Sequence, residues 1–278
     1  MIELPECNVL AAQINDTLVG KIVRSVAANV HPHAFAAYSG DPAAYDGRLR
    51  GKTLTAANPG TGYTCGGNTE ICFENQLLVL STPVKYHAAG AKLPAKHQLL
   101  IAFTDDSHLS CTVQMWGGMF CYPMDENGLP EQVTVNKTPS PLSDAFDAAY
   151  FDGLWNATSE KYSVKAFLAT EQRIPGLGNG VLQDILWNAK IHPKTKLSAL
   201  DGAAKQRLFQ SVKSTLAAMV QGGGRDTERD LFGNAGGYRT ILSNKTLAFP
   251  CPACGAGLVR TAYLGGNIYF CPGCQNAL

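Results

Sequence analysis

Two Cys-x-x-Cys pairs near the C-terminus constrain this chain more than any other feature. Cys251-Pro-Ala-Cys254 and Cys271-Pro-Gly-Cys274 stand sixteen residues apart. That is the spacing of a four-thiolate zinc site on two knuckles joined by a hairpin. Gly255 and Gly257 follow the first knuckle, and Gly265-Gly266 falls where a hairpin tip is wanted. Disulfides and a redox pair are the alternatives. The first residues, Met1 to Glu6, carry acids where an export signal carries bases. A reducing cytoplasm is therefore the expected compartment, and it favours a metal over disulfides. The zinc is expected to be structural, which leaves the hairpin able to touch a partner. The other five cysteines, Cys7, Cys65, Cys72, Cys111 and Cys121, are scattered and read as small buried hydrophobes.

A second constraint lies upstream, between Gln172 and Trp187. Val164, Phe167 and Leu168 recur at helical spacing before it, and Val181, Leu182, Ile185 and Leu186 do so within it. Pro-Gly-Leu-Gly-Asn separates the two stripes. Pro175 lacks an N–H, and Gly176 and Gly178 permit backbone angles closed to other residues. Asn179 is expected to cap the second helix. The product is a bare helix N-terminus, which suits a phosphate. Many such pairs bind nothing, so the turn alone does not decide the matter.

At 278 residues the chain exceeds one typical domain. No run of eighteen apolar residues exists, so no membrane span is expected. The net charge of +1 hides an asymmetry. Residues 1–145 hold 9 Lys+Arg and 13 Asp+Glu, while residues 146–278 hold 14 and 9. The second half is thus the better host for an anionic polymer.

Pro5 to Leu18 reads as a helix, stopped at Gly20. Short β-branched or aromatic runs then alternate with turns up to Tyr122: 22–26, 53–56, 70–73, 77–80, 99–103, 109–113 and 120–122. That spacing suggests a sandwich or barrel. Residues 136–143 are Pro/Ser-rich and read as a linker. From Asp144 to Gly222 the pattern is helical. The expected domains are therefore 1–135, 144–248 and a zinc finger over 249–278.

Three of these stretches carry a resemblance. Met1-Ile2-Glu3-Leu4-Pro5-Glu6 is similar to the start of the formamidopyrimidine-DNA glycosylase/endonuclease VIII family. Lys165 to Pro193 resembles its helix–two-turn–helix, and Tyr269 to Gln275 resembles the end of its zinc finger. The resemblance implies an α+β fold of two domains. An N-terminal β-sandwich with a flanking helix would be followed by a C-terminal helical domain with the finger, and DNA would lie in the cleft between. It also implies a base-excision-repair activity: flipping a damaged base out of double-stranded DNA, cutting its glycosidic bond, then nicking the strand. The N-terminal amine exposed by removal of Met1 would be the nucleophile, here on Ile2. Glu3 would handle protons at the sugar, and Glu6 matches a second acid held nearby. Lys165, Gly178 and Asn179 would hold phosphate. The expected partner is duplex DNA with a lesion or an abasic site, bound by a cytoplasmic, nucleoid-associated monomer.

The chain also departs from the family pattern. Ile2 stands where the family has proline. No lysine lies between Lys52 and Lys85, where the family's hairpin lysine would fall. The family's arginine and phenylalanine wedge appears as Gln114-Met115-Trp116-Gly117, which leaves Met115 and Trp116 as wedge candidates. The finger arginine falls on Gly266, with Asn267 beside it and Arg260 on the opposite strand. Two activities are consistent with this pattern: a glycosylase with AP-lyase chemistry, and a non-catalytic binder of damaged or abasic DNA. A structural zinc protein with no DNA role is the third reading. Glu3 and Glu6 can also be explained as favouring the dipole of the helix at Pro5.

Overall fold

The computed structural model describes residues 2–60, 67–131 and 138–276. Cys65 and part of the linker stretch lie outside these. The chain divides into two compact units, Met1–Lys137 with Glu228–Ala235, and Thr138–Thr227 with Gly236–Leu278.

In the first unit, α1 (Leu4–Leu18) is entered through Pro5, and its apolar stripe of Leu10, Ile14 and Leu18 is fully buried. Among the described residues nine strands follow: β1 (Val23–Ala28), β2 (Ala36–Tyr38), β3 (Leu54–Gly60), β4 (Asn68–Phe73), β5 (Gln76–Leu80), β6 (Val84–His87), β7 (Leu99–Phe103), β8 (His108–Cys111) and β9 (Gly117–Pro123). A short helix, α2 (Tyr45–Leu49), interrupts them. One sheet has the order β1-β7-β8-β6, the other β2-β9-β5-β4-β3. Residues of both sheets and of α1 share a single apolar core, as a two-layer architecture requires. β2, α2 and β6 were not expected from the periodicity. β2 pairs in parallel with β9 over three residues, too short a run to show alternation.

The segment 228–235 joins this unit because Leu231 is buried in its core. The Leu231 carbonyl accepts from Tyr86 N at 2.8 Å, and its N–H donates to Gln13 Oε1 at 2.9 Å.

The second unit is helical. α3 (Ala148–Asn156) is capped by Asp147, whose carboxylate accepts from Tyr150 N at 2.7 Å. A π-helical turn covers Ala166–Thr170 and ends before the Pro-Gly turn. α4 (Asn179–Ala189) and α5 (Gly202–Gln221) pack together around Leu182, Ile185, Leu208 and Val212. Asp201 caps α5, and Gly222 closes it. The chain ends in an antiparallel hairpin, β10 (Val259–Tyr263) and β11 (Gly266–Phe270), between the two cysteine pairs. Its tip is Leu264-Gly265, one residue before the expected Gly265-Gly266. Both tip residues have positive φ, +45° and +73°, as a two-residue hairpin turn requires.

Buried polar side chains fasten this hairpin and its preceding loop to α4. Gln183 is 2% exposed. Its Nε2 donates to the Asn179 carbonyl at 2.8 Å and the Asn267 carbonyl at 3.2 Å, while its Oε1 accepts from Tyr269 N at 3.0 Å. Gln275 donates to the Ile191 carbonyl and accepts from Cys271 N, both at 2.9 Å. Asp184 accepts from Ile241 N at 2.9 Å and Leu242 N at 2.8 Å. Burial pushes its carboxyl up to about 6, against the pull of those two N–H groups, the Tyr238 hydroxyl and Arg225.

That shift has a signed consequence. The unfolded carboxyl titrates near 3.9. Between pH ~4 and ~6 the folded state therefore binds more protons than the unfolded state, and stability falls as pH rises through this window. The expected loss is about 2–3 kcal/mol, complete above pH ~6. Urea unfolding of wild type and Asp184→Asn across pH 4–7 checks it. Wild type should lose about 2–3 kcal/mol relative to the variant as pH rises from ~4 to ~6; a difference that does not change with pH would refute the assignment.

Candidate nucleic-acid interface

The start of α4 and the hairpin meet within the second unit. Gly178, in extended conformation, is the N-cap of α4, and Asn179 is its first helical residue with no side-chain cap bond. The expected cap by Asn179 is thus corrected by one position. Gly176 takes the positive φ of the turn at +80°, so the chain enters the helix one residue early and the Asn179 side chain is left exposed. It rests against Gly266, where an added Cβ would lie 2.6 Å from Asn179 Nδ2. The absence of a side chain at Gly266 makes room for the Asn179 amide beside the N-terminal turn of α4.

Lys165 is 1% exposed. Its Nζ donates to the carbonyls of Tyr263 and Leu264 at the hairpin tip. Burial pulls its ammonium below the ordinary lysine range. Two carbonyls thus occupy two of its three donors. In the hairpin register, Arg260 faces Tyr269 and Ala262 faces Asn267. Arg260 and Asn267 thus share one face, and both are exposed. Arg260 also donates to Asn244 Oδ1 at 3.3 Å. Ile268, on the other face, is fully buried.

The four cysteine sulfurs lie within 4.8 Å of one another. Cys251–Cys274 is 3.7 Å and Cys254–Cys271 is 3.3 Å. A tetrahedron with metal–sulfur bonds of about 2.3 Å has sulfur–sulfur edges of about 3.8 Å. The donor set therefore fits a closed four-thiolate metal site.

In the first unit, Ile2 is 2% exposed and belongs to the core. Glu3 stands at the N-cap of α1 and makes no side-chain cap bond, so helix capping does not account for its carboxylate. Glu6 lies in the first turn and is 3% exposed. Gly67 is pressed onto this corner. A Cβ there would lie 2.5 Å from the Ile2 carbonyl oxygen and 2.9 Å from Glu3 Cα. Only glycine allows that approach, and it holds the Ile2–Glu3 backbone in place. Sequence reasoning missed Gly67, because close approach of two backbones leaves no local pattern. Met115 and Trp116 project from the turn before β9, 81% and 46% exposed. Apolar side chains presented in this way suit insertion between bases.

A family described as "Formamidopyrimidine-DNA glycosylase H2TH domain" matches residues 138–230. The formamidopyrimidine-DNA glycosylase of Geobacillus kaustophilus is 27% identical over 289 residues, covering 99% of this chain and 100% of the relative. That of Enterococcus faecalis is 25% identical over 280 residues, covering 99% and 97%. These matches support the formamidopyrimidine-DNA glycosylase/endonuclease VIII family for this chain. Solved members share its fold along the whole chain. The MutM (Fpg) protein of Thermus thermophilus superposes with a TM-score of 0.77 at 21% identity, covering 99% of both chains. Lactococcus lactis Fpg in complex with DNA containing an abasic site gives 0.78 at 22%, again over 99% of both. The described residues supply the helix–two-turn–helix match and the four-cysteine hairpin. Among them, no helix is long and apolar enough to cross a membrane.

Proposed function

We propose that this protein is a DNA repair glycosylase that releases a damaged base from duplex DNA and then nicks the strand by AP-lyase chemistry. The match to formamidopyrimidine-DNA glycosylases over 99% of the chain carries this reading. The Ile2–Glu3 corner pinned by Gly67 and the phosphate site built from α4 and the hairpin support it. After removal of Met1, the Ile2 amine attacks C1′. The glycosidic bond breaks, the base leaves with a proton, and the amine and C1′ form a Schiff base. Glu3 is the group next to this centre that can give and take protons. Loss of the proton at C2′ then expels the 3′ phosphate by β-elimination.

Lys165, Gly178, Asn179, Asn267 and Arg260 grip phosphates, and Met115 with Trp116 fills the gap left by the extruded base. Zn²⁺ held by Cys251, Cys254, Cys271 and Cys274 is structural and supplies no chemistry to the reaction. The protein acts as a cytoplasmic monomer on nucleoid DNA.

Borohydride trapping on a duplex with an abasic site, read by intact mass, tests the reaction. An adduct on protein beginning at Ile2 is expected. Absence of both adduct and base release, with binding retained, would reduce the protein to a DNA reader. Asn179→Ala tests the grip. A lost hydrogen bond to a charged partner is worth about 1.5–3 kcal/mol, so affinity should fall about tenfold or more for all duplexes alike. Unchanged affinity in a gel-shift titration would remove the phosphate anchor.

A further inference from the structure

The first unit contains a cavity of about 880 Å³ that the reading above does not use. Its size is that of a small-molecule or cofactor site. Three cations from three separate elements line it: Lys85 on β6, Lys92 on the β6–β7 connection and Arg229 on the segment 228–235. Among the described residues, none of them lies within ion-pair distance of a carboxylate. One acid, Asp230, shares the wall, but its oxygens are already taken. They accept from the backbone N–H groups of Phe232 at 3.0 Å and Asn234 at 2.7 Å, from Gln13 Nε2 at 3.2 Å and from Asn234 Nδ2 at 3.3 Å.

The elements that carry the cations are anchored. His87, 6% exposed on the wall, lies 2.8 Å from Ser110 Oγ. Gly233, at φ +88°, leaves room for Lys85. A Cβ there would lie 3.2 Å from Lys85 Nζ. Leu231, buried next to Asp230, holds the segment that presents Arg229. The rest of the lining is mixed. Pro83, Leu93 and Pro94 offer apolar surface, and Ser110, Thr112 and Gln114 offer neutral hydrogen-bonding groups. Gln114 leads directly into exposed Met115 and Trp116.

We propose that this cavity binds a nucleotide through a terminal phosphate, with Lys85, Lys92 and Arg229 on the phosphate and the apolar and neutral polar walls around the sugar and base. A phosphomonoester carries about −1.5 to −2 charge at pH 7, which matches several converging cations better than the single charge of an internal phosphodiester. The phosphate has two possible sources, a free mononucleotide or the phosphorylated end of a nicked strand. Only the second rests on the DNA-repair reading.

Calorimetric titration of the full-length protein at low salt with a deoxynucleoside 5′-monophosphate, the matching nucleoside and inorganic phosphate tests the proposal. The monophosphate should bind at least about tenfold tighter than the nucleoside, and inorganic phosphate should compete with it. The double variant Lys92→Gln/Arg229→Gln changes two exposed side chains and should erase that preference. In a second arm, nicked duplexes with a 5′-phosphate or a 5′-hydroxyl at the nick are compared. A phosphate preference lost in the variant identifies the strand end as the source, and no preference there, with the mononucleotide preference intact, identifies the free nucleotide. Equal binding of monophosphate and nucleoside by wild type, or a preference that survives in the variant, would overturn the proposal. Base release from lesion duplexes is read separately, so failure of the cavity and failure of the glycosylase reading are told apart.

Discussion

Glu3→Gln should lower single-turnover base release by about 10²–10⁴-fold while leaving duplex affinity within about twofold. The glutamine keeps the size and hydrogen-bonding capacity of the side chain but cannot carry a proton, and proton transfer by one positioned group is worth that factor. Glu3 directly follows Ile2, and its carboxylate makes no cap bond to α1. Gly67 tests the same corner from the other side. A Cβ at Gly67 would meet the Ile2 carbonyl oxygen at 2.5 Å. The neighbour is backbone and cannot turn aside, so Gly67→Ala must displace Ile2 and Glu3. A displacement of about 1 Å in a preorganised site costs about 100-fold in rate. Base release measured with enzyme in excess, beside a binding titration, checks both variants. A Glu3→Gln rate within about threefold of wild type would remove Glu3 from the chemistry.

Metal removal should have the second large effect. A two-stranded hairpin is marginal on its own, and β10–β11 has only Ile268 fully buried among its ten residues. Structural Zn²⁺ contributes about 10–16 kcal/mol in small fingers, so the thiolate cluster is expected to dominate the stability of this module. Chelation, or Cys254→Ser, should free the hairpin tip from Lys165 and release Arg260 and Asn267. Duplex affinity should then fall by about 100-fold or more, since several phosphate contacts go together. Hydrogen exchange over residues 251–275, measured beside binding, reads both steps. Full protection and full binding in the metal-free protein would show that Gln183 and Gln275 hold the hairpin without a metal.

Much of the architecture is legible in the sequence, because it is set by near neighbours in the chain. Helix α1 announces itself through Pro5 and the spacing of Leu10, Ile14 and Leu18, all of which are buried. β7 spans Leu99–Phe103 as its run of apolar residues predicts. The two Cys-x-x-Cys pairs specify that four sulfurs converge, since each pair forms a local knuckle and the hairpin brings the knuckles together. The Pro-Gly-Leu-Gly turn likewise marks the start of α4 to within one residue.

Other features depend on partners distant in the chain, and only the tertiary structure decided them. Asp184 looks like an ordinary exposed helix acid in the sequence. It is buried because Ile241 and Leu242, 57 and 58 residues on, supply the N–H groups that satisfy it. Gln183 and Gln275 are inconspicuous polar residues until α4 and the hairpin are in contact. Gly67 reads as a loop glycine, and only the approach of the N-terminal backbone gives it a role. Arg229 lies in a glycine-containing loop, and the burial of Leu231 brings it beside Lys85 and Lys92. The sequence by itself determined most of the elements, the cysteine cluster and the family resemblance, because periodicity, caps and ligand spacing are local. The tertiary structure alone decided which polar groups are buried and satisfied and which cations are left facing a cavity, because both depend on groups that only folding brings within hydrogen-bond distance.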